Sequence, residues 1–193
     1  MKKRIAAIIM AAAMVMGLAA CQSTDGKADS SAQAEGNAKY RVGICQLVQH
    51  EALDAATEGF QDALKDELGD DVTFDVQNAQ NDSNTCSTIV NSIVANNVDL
   101  IMANGTASLQ AAAAGTADIP ILGTSITEYG VALGLDNFNG TVGGNISGTS
   151  DLAPLDEQAQ MIKDLFPDAK KVGILYCSAE ANSQYQVDTI TGY

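Results

Sequence analysis

The sequence predicts an α/β protein with a Rossmann-like, doubly wound parallel sheet. Three observations carry that expectation: short β-type runs alternate with helical periodicity from Tyr40 onward, the helical stretches are long enough to cross back over a sheet, and polar residues gather where each strand should end. The composition agrees. Of 193 residues, 46% are hydrophobic and 18% charged, and the mean hydropathy is +0.03, which supplies the apolar matter for one full core.

Taken in order, Tyr40–Leu47 reads as the first strand, and Leu53, Ala56, Phe60, Ala63, Leu64 and Leu68 recur at helical spacing until Gly69 stops the helix. Val72–Val76 is a second strand. Asp82, Ser83 or Asn84 then caps a helix whose apolar stripe is Cys86, Ile89, Val90, Ile93 and Val94, and Val98–Ala103 follows as a buried strand. An Ala-rich helix is expected from about Ala107 to Thr116, a strand at Ile119–Gly123 with Pro120 at its edge, and a fifth strand at Val131–Leu135. The Gly- and Asn-rich segment Asp136–Gly148 interrupts the alternation, as a connection between lobes does. Beyond it, Leu155, Ala159, Ile162 and Leu165 predict a helix stopped by Pro167, Lys171–Tyr176 a buried strand, and the residues near Ser183 the start of another helix. One strand with one complete helix does not bury both faces of a second lobe, so a chain truncated within that lobe is expected.

The first residues have a different character. Lys2, Lys3 and Arg4 precede an uncharged apolar run from Ile5 to Ala20, the pattern of a signal peptide, and the run ends in Leu18-Ala19-Ala20-Cys21. That ending resembles the bacterial lipobox, in which the cysteine thiol takes a diacylglycerol before cleavage. Cys21 is therefore the expected lipidation site and residues 1–20 the expected signal peptide. Gln22 to about Ala38, rich in Ser, Ala, Gly and Asp, has no large apolar side chain and is expected to act as a tether.

Ten Lys and Arg against 24 Asp and Glu give a net charge of −14. Loss of residues 1–20 removes three cations and no acid, which leaves seven basic residues against 24 acidic ones. Such a balance disfavours nucleic-acid phosphates as partners. A single His makes a histidine-built metal site a poor expectation, and no phosphate-cradling glycine motif is present, so neither a metal nor a cofactor is expected. Cys45, Cys86 and Cys177 are an odd set of thiols once Cys21 is acylated, and no pairing among them is predicted.

In open parallel sheets, ligands bind beyond the carboxyl ends of the strands. The segments there are Gln46–His50, Asn78–Asp82, Asn104–Thr106 and Thr124–Thr127. Asn104-Gly105-Thr106-Ala107-Ser108 is the most legible: the glycine lets the backbone turn closely, Thr106 caps the helix, and the first-turn amides face outward toward an anion such as a carboxylate. Each residue also has a purely structural reading, and the sequence alone leaves both open. Thr106 and Ser108 serve equally as caps, His50 as a solvated helix opener, Ser125 and Thr127 as turn residues. Asp151 either caps the helix at Leu155 or offers its carboxylate to a cation, and Glu180-Ala181-Asn182-Ser183 presents the same choice.

The stretches VGICQLVQHEALDAATEGFQDAL, VQNAQND, VDLIMANGTASLQAA, IPILGTSIT, NISGTSD and KKVGILYCSAEANS cover nearly all of residues 41–187. In combination they resemble the substrate-binding lipoproteins of ABC transporters, in particular the family of tryptophan/tyrosine uptake receptors. The resemblance implies a type I periplasmic-binding fold, with a first ligand-binding lobe at 39–147 after a lipidated tether at 21–38, and a hinge with the truncated start of a second lobe at 148–193. It also implies that Gln46 and His50 line the cleft and that Thr106, Ser125 and Thr127, next to Asn104, hold the α-carboxylate of an amino acid. Ser150 and Asp151 would reach the α-ammonium, and Glu180, Asn182 and Ser183 would approach from the second lobe. The expected function is capture of an amino acid, with an aromatic side chain, and delivery to an ABC permease and its ATPase, outside the cytoplasm and on a lipid anchor. With no Trp in the chain, an aromatic ligand would stack on Tyr129, Phe138, Tyr176 or Tyr185, or on residues outside this sequence. A sugar or purine receptor on the same fold and a solute-sensing signalling module are the rival readings. An exported hydrolase is disfavoured, because G-x-S-x-G is absent and the single His stands at a helix start, so the chain is not expected to be an enzyme.

Overall fold

In the computed structural model, which describes residues 38–193, Tyr40–Gln46 (β1), Val72–Asn78 (β2), Leu100–Asn104 (β3), Ile121–Ile126 (β4) and Ile146–Ser150 (β5) form one sheet. The strands stand in the order β2-β1-β3-β4-β5 and every neighbouring pair is parallel. The chain moves outward from β1 to β2, then returns past β1 to β3. The reversal leaves a topological switch point between the carboxyl ends of β1 and β3, where the helices that follow diverge and a crevice opens. The expected signal peptide, Cys21 and nearly all of the tether lie outside the described residues. Among the described residues no helix is long and apolar enough to cross a membrane.

Alternation along the strands assigns the two faces. Val42 and Ile44 of β1, Val72 and Phe74 of β2 and Met102 of β3 share one apolar cluster with Phe60, Leu64 and Leu68 of helix α1 (Glu51–Leu68). Cys45, Ile101, Ala103, Ile121 and Ile126 point the other way, onto Cys86, Ile89, Val90 and Ile93 of α2 (Ser83–Ala95) and Leu109 and Ala112 of α3 (Thr106–Gly115). At Gly43 the helix comes so close that a Cβ would collide with Ile93. Ile44, Ile93, Ile101, Leu109, Ile121 and Ile126 are fully buried, each contributing about 1.5–3 kcal/mol of apolar burial.

Helix starts follow the capping chemistry of the sequence. Of the three candidates before α2, Asp82 is the cap, its Oδ1 accepting from the Thr85 amide at 2.6 Å. That acceptance, from the Thr85 side chain and backbone, holds the Asp82 carboxyl below its ordinary value. His50 caps α1, Nδ1 accepting from the Ala52 amide at 3.2 Å.

Three expectations are corrected. Val131–Leu135 is no strand: Tyr129–Leu133 forms a short helix, α4, closed by Gly134 in the left-handed region at φ 63°. Glu128 caps it by accepting from the Val131 amide at 2.6 Å, a local bond that outweighs the β preference of Val131. The fifth strand is Ile146–Ser150, so the Asp136–Gly148 segment leads back into the sheet. Lys171–Tyr176 is also no strand. No strand among the described residues lies beside it to complete a ladder, and Leu175 is wholly exposed. Finally, Thr106 is the first residue of α3 and not its cap; Gly105 holds that position with no side-chain bond. Two further helices follow β5, α5 (Leu155–Leu165) and α6 (Ala181–Ile190).

Candidate functional site

A cleft of about 540 Å³ opens at the switch point. Leu47, Val48 and His50 after β1 and Gly105, Thr106 and Ala107 after β3 form its floor. Asn81 before α2, Ser83 at its start, Ser125 at the end of β4 and Gln110 of α3 line its sides, with Cys177, Ala179, Glu180, Ala181 and Asn182 across the opening. The Leu47 amide donates to the Asn104 carbonyl at 2.9 Å and the Asn81 amide to the Leu47 carbonyl at 2.8 Å, so three loops are tied into one rim.

Gly105 governs the approach. Its φ is 106°, and a Cβ there would lie 2.9 Å from Leu47 Cβ. Only glycine lets the β3–α3 turn sit so near the β1 loop. With no capping side chain on α3, the amides of its first turn are left for whatever occupies the cleft. Ser125 also has a positive φ, 54°, where the β4–β5 register shifts between Gly123 and Ile126. That irregularity turns Ser125 into the cleft, while Ile126 beside it stays buried in the core.

Of the residues singled out in the sequence, His50, Thr106, Ser125, Glu180 and Asn182 are brought together in this cleft. Gln46 and Asn104 are not among its lining residues. They are strand neighbours in register, both facing α1: Thr57 Oγ1 donates to Gln46 Oε1 at 2.7 Å, and Asn104 Nδ2 donates to Thr57 Oγ1 at 3.0 Å and to the Leu53 carbonyl at 2.7 Å. Gln46 Nε2 also donates to Asp54 Oδ1 and to the Val48 carbonyl. Thr127, Ser150 and Asp151 stand outside the lining as well. Ser150 Oγ donates to the Thr127 carbonyl at 2.8 Å and accepts from the Leu152 amide at 3.3 Å, and the Asp151 amide donates to the Ile126 carbonyl. Ser183 donates to Glu180 Oε2 at 3.0 Å and so stands behind that carboxylate.

Gln110 and Cys177 line the cleft from outside the segments marked in the sequence, whereas Leu47, Asn81 and Gly105 fall within those segments but are not singled out there. Asn81 carries the clearest overlooked signal: an Asn-Asp pair after a strand favours the left-handed turn that it adopts, at φ 64°. Glu180 is the only carboxylate among the lining residues, and no Phe, Tyr or Trp ring is among them. Thr106 and Ser125 supply hydroxyls, Asn81 and Asn182 amides, Leu47, Val48 and Leu53 an apolar patch. Such a set accepts a small ligand with one anionic and one cationic end. Beneath it, Tyr129 joins β4 to β5, its hydroxyl donating to the carbonyls of Gly123 at 3.0 Å and Thr149 at 3.2 Å. Burial first, and then the charge of Asp151, push its pKa up to about 12. Among the described residues no cluster of three His, Cys, Asp or Glu could hold a metal ion.

A doubly wound parallel sheet with a polar cleft at its switch point defines a small-ligand-binding module of the periplasmic-binding kind. This chain belongs to the family described as ABC transporter substrate binding protein, which matches residues 41–193. It is 41% identical over 197 residues to the tyrosine-binding protein of Clostridioides difficile, covering 99% of this chain and 57% of that protein. Among solved structures it is similar to the ABC domain from Streptococcus pneumonia in complex with L-Trp, at 36% identity and a TM-score of 0.73 over 82% of this chain and 53% of the other. It is also similar to the ligand-free, open substrate-binding protein with adhesive properties from Clostridium difficile, at 41% identity and a TM-score of 0.62 over 80% and 53%. A conserved domain protein from Vibrio cholerae aligns at 31% identity with a TM-score of 0.73 over 79% and 52%. The chain thus spans about half the length of the relatives it matches.

Proposed function

We propose that this chain captures an aromatic amino acid and serves an ABC importer as its extracytoplasmic receptor, held at the membrane by a lipid on Cys21. The observation that carries the reading is the division of the cleft. The uncapped first turn of α3, with the Thr106 and Ser125 hydroxyls beside it, suits an α-carboxylate, and Glu180 opposite suits an α-ammonium. The relatives named for tyrosine and bound to L-Trp support an aromatic side chain. It would rest on the Leu47, Val48 and Leu53 patch, with any stacking Phe, Tyr or Trp ring supplied from outside the lining described above. Gln46 and Asn104 act as positioning residues: they hold the β1 and β3 ends against α1 and so fix where Leu47 and Gly105 stand. The function is binding and release and requires no chemical step. Delivery then falls to a permease and its ATPase.

The test is thermal denaturation with a ligand panel. L-Trp, L-Tyr or L-Phe should raise the Tm in a concentration-dependent way, and Glu180→Gln should weaken the response by about 10- to 100-fold in ligand concentration, the scale of one charge-assisted bond. A Tm shift with sugars or purines and none with amino acids would reject the reading.

A further inference from the structure

Directly under the cleft floor, two buried thiols converge on one hydroxyl. Cys45, next to last in β1, donates to Ser108 Oγ at 3.5 Å, and Cys86, in the first turn of α2, lies 3.6 Å from the same oxygen. All three side chains have no solvent exposure. Neither thiol is used by the binding site, and both are free. We infer that Cys45 and Cys86 form an oxidisable dithiol that a peroxide converts to an internal disulfide, with Cys86 the sulfur that reacts first.

The asymmetry has a physical source. The neighbouring Cys45 and then Ser108 draw the Cys86 pKa down, against burial and the charge of Asp82, whereas the Cys45 thiol is pushed up by its neighbour Cys86 and by burial. The position of Cys86 in a helix's first turn favours its thiolate further. The Cys86 thiolate attacks one oxygen of the peroxide; the O–O bond breaks, hydroxide leaves and a sulfenic acid forms. The Cys45 sulfur then attacks the Cys86 sulfur and loses its proton, the S–O bond breaks and water leaves. The two thiols give up two electrons and the peroxide takes them. Access needs only local opening of the Ala79–Asp82 turn that precedes α2, where Gln80 and Asn81 both have positive φ. The bond would tie the strand leading to Leu47 to the helix that begins at Ser83, two residues that line the cleft.

The native chain, treated with hydrogen peroxide, alkylated in denaturant and digested without reductant, should yield a Cys45–Cys86 cross-linked peptide pair that reduction separates. Recovery of both peptides alkylated, or of Cys86 as sulfinic acid with Cys45 alkylated, would overturn the proposal. With dimedone present, Cys45→Ser should trap a sulfenic acid on Cys86, while Cys86→Ser should give at least ten-fold less adduct on Cys45. The reverse preference would overturn the assignment of the first sulfur.

Discussion

Gln46 and Asn104 stand opposite one another at the carboxyl ends of β1 and β3, and both are bonded to the hydroxyl of Thr57 on α1, Gln46 as acceptor and Asn104 as donor. Two polar side chains at the switch point of the sheet thereby serve as a lock between strands and helix, beside the cleft instead of in it. The side-chain oxygen of Asn104, Oδ1, is buried with no hydrogen-bond partner, so the bonds made by its Nδ2 are the ones that fix the side chain.

Thr57→Val keeps the shape of the side chain and deletes the bridge. It should cost about 1–3 kcal/mol, because the nearly buried Gln46 Oε1 loses its donor, whereas Thr57→Ser should recover most of the loss. Urea denaturation of the three proteins measures the difference. A change within a few tenths of a kcal/mol would show that the bridge does not hold α1.

Gly105→Ala places a Cβ at a φ of 106° and 2.9 Å from Leu47. Strain of about 1–3 kcal/mol is expected, with displacement of the Leu47 loop and weaker ligand binding. Thermal denaturation in the presence and absence of ligand separates the two effects. Equal stability and equal ligand response would contradict the close approach.

Tyr129 predicts an alkaline limb. Its folded pKa, about 12, lies above the ordinary 10.0, so between those values the folded chain holds a proton that the unfolded chain releases. The stabilisation is fully present below pH 10 and is lost as pH rises toward 12. Tyr129→Phe should flatten that limb in a stability-against-pH series and, at neutral pH, cost about 1 kcal/mol for the hydroxyl's bonds to Gly123 and Thr149. An unchanged limb would assign the alkaline loss to other groups.

Much of this was legible in the sequence, and the exceptions have physical causes. Phe60, Leu64 and Leu68 marked α1 because apolar residues at helical spacing must share a face, and Gly69 marked its end. Val131–Leu135 misled because a five-residue helix carries too little periodicity to outweigh a β-branched residue, and the Glu128 cap is visible only once the chain has turned. Lys171–Tyr176 has the composition of a strand, but strand formation is decided by a partner, and none among the described residues pairs with it. At the cleft, the lining positions of Thr106, just beyond β3, and Ser125, within the end of β4, were legible from their place near strand ends. The withdrawal of Gln46 and Asn104 toward α1 was not, since strand parity sets which face a terminal amide takes and a one-residue difference reverses it.

The most direct measurement is a ¹H–¹⁵N NMR titration of the chain with L-tyrosine and L-tryptophan, which reports the binding surface even when affinity is weak. The account predicts shift changes concentrated at Leu47–His50, Gly105–Ala107, Ser125 and Glu180–Asn182. Changes confined to the hollow beside α1, around Glu58, Gln61 and Asn78, or the absence of any change at ligand saturation, would contradict it.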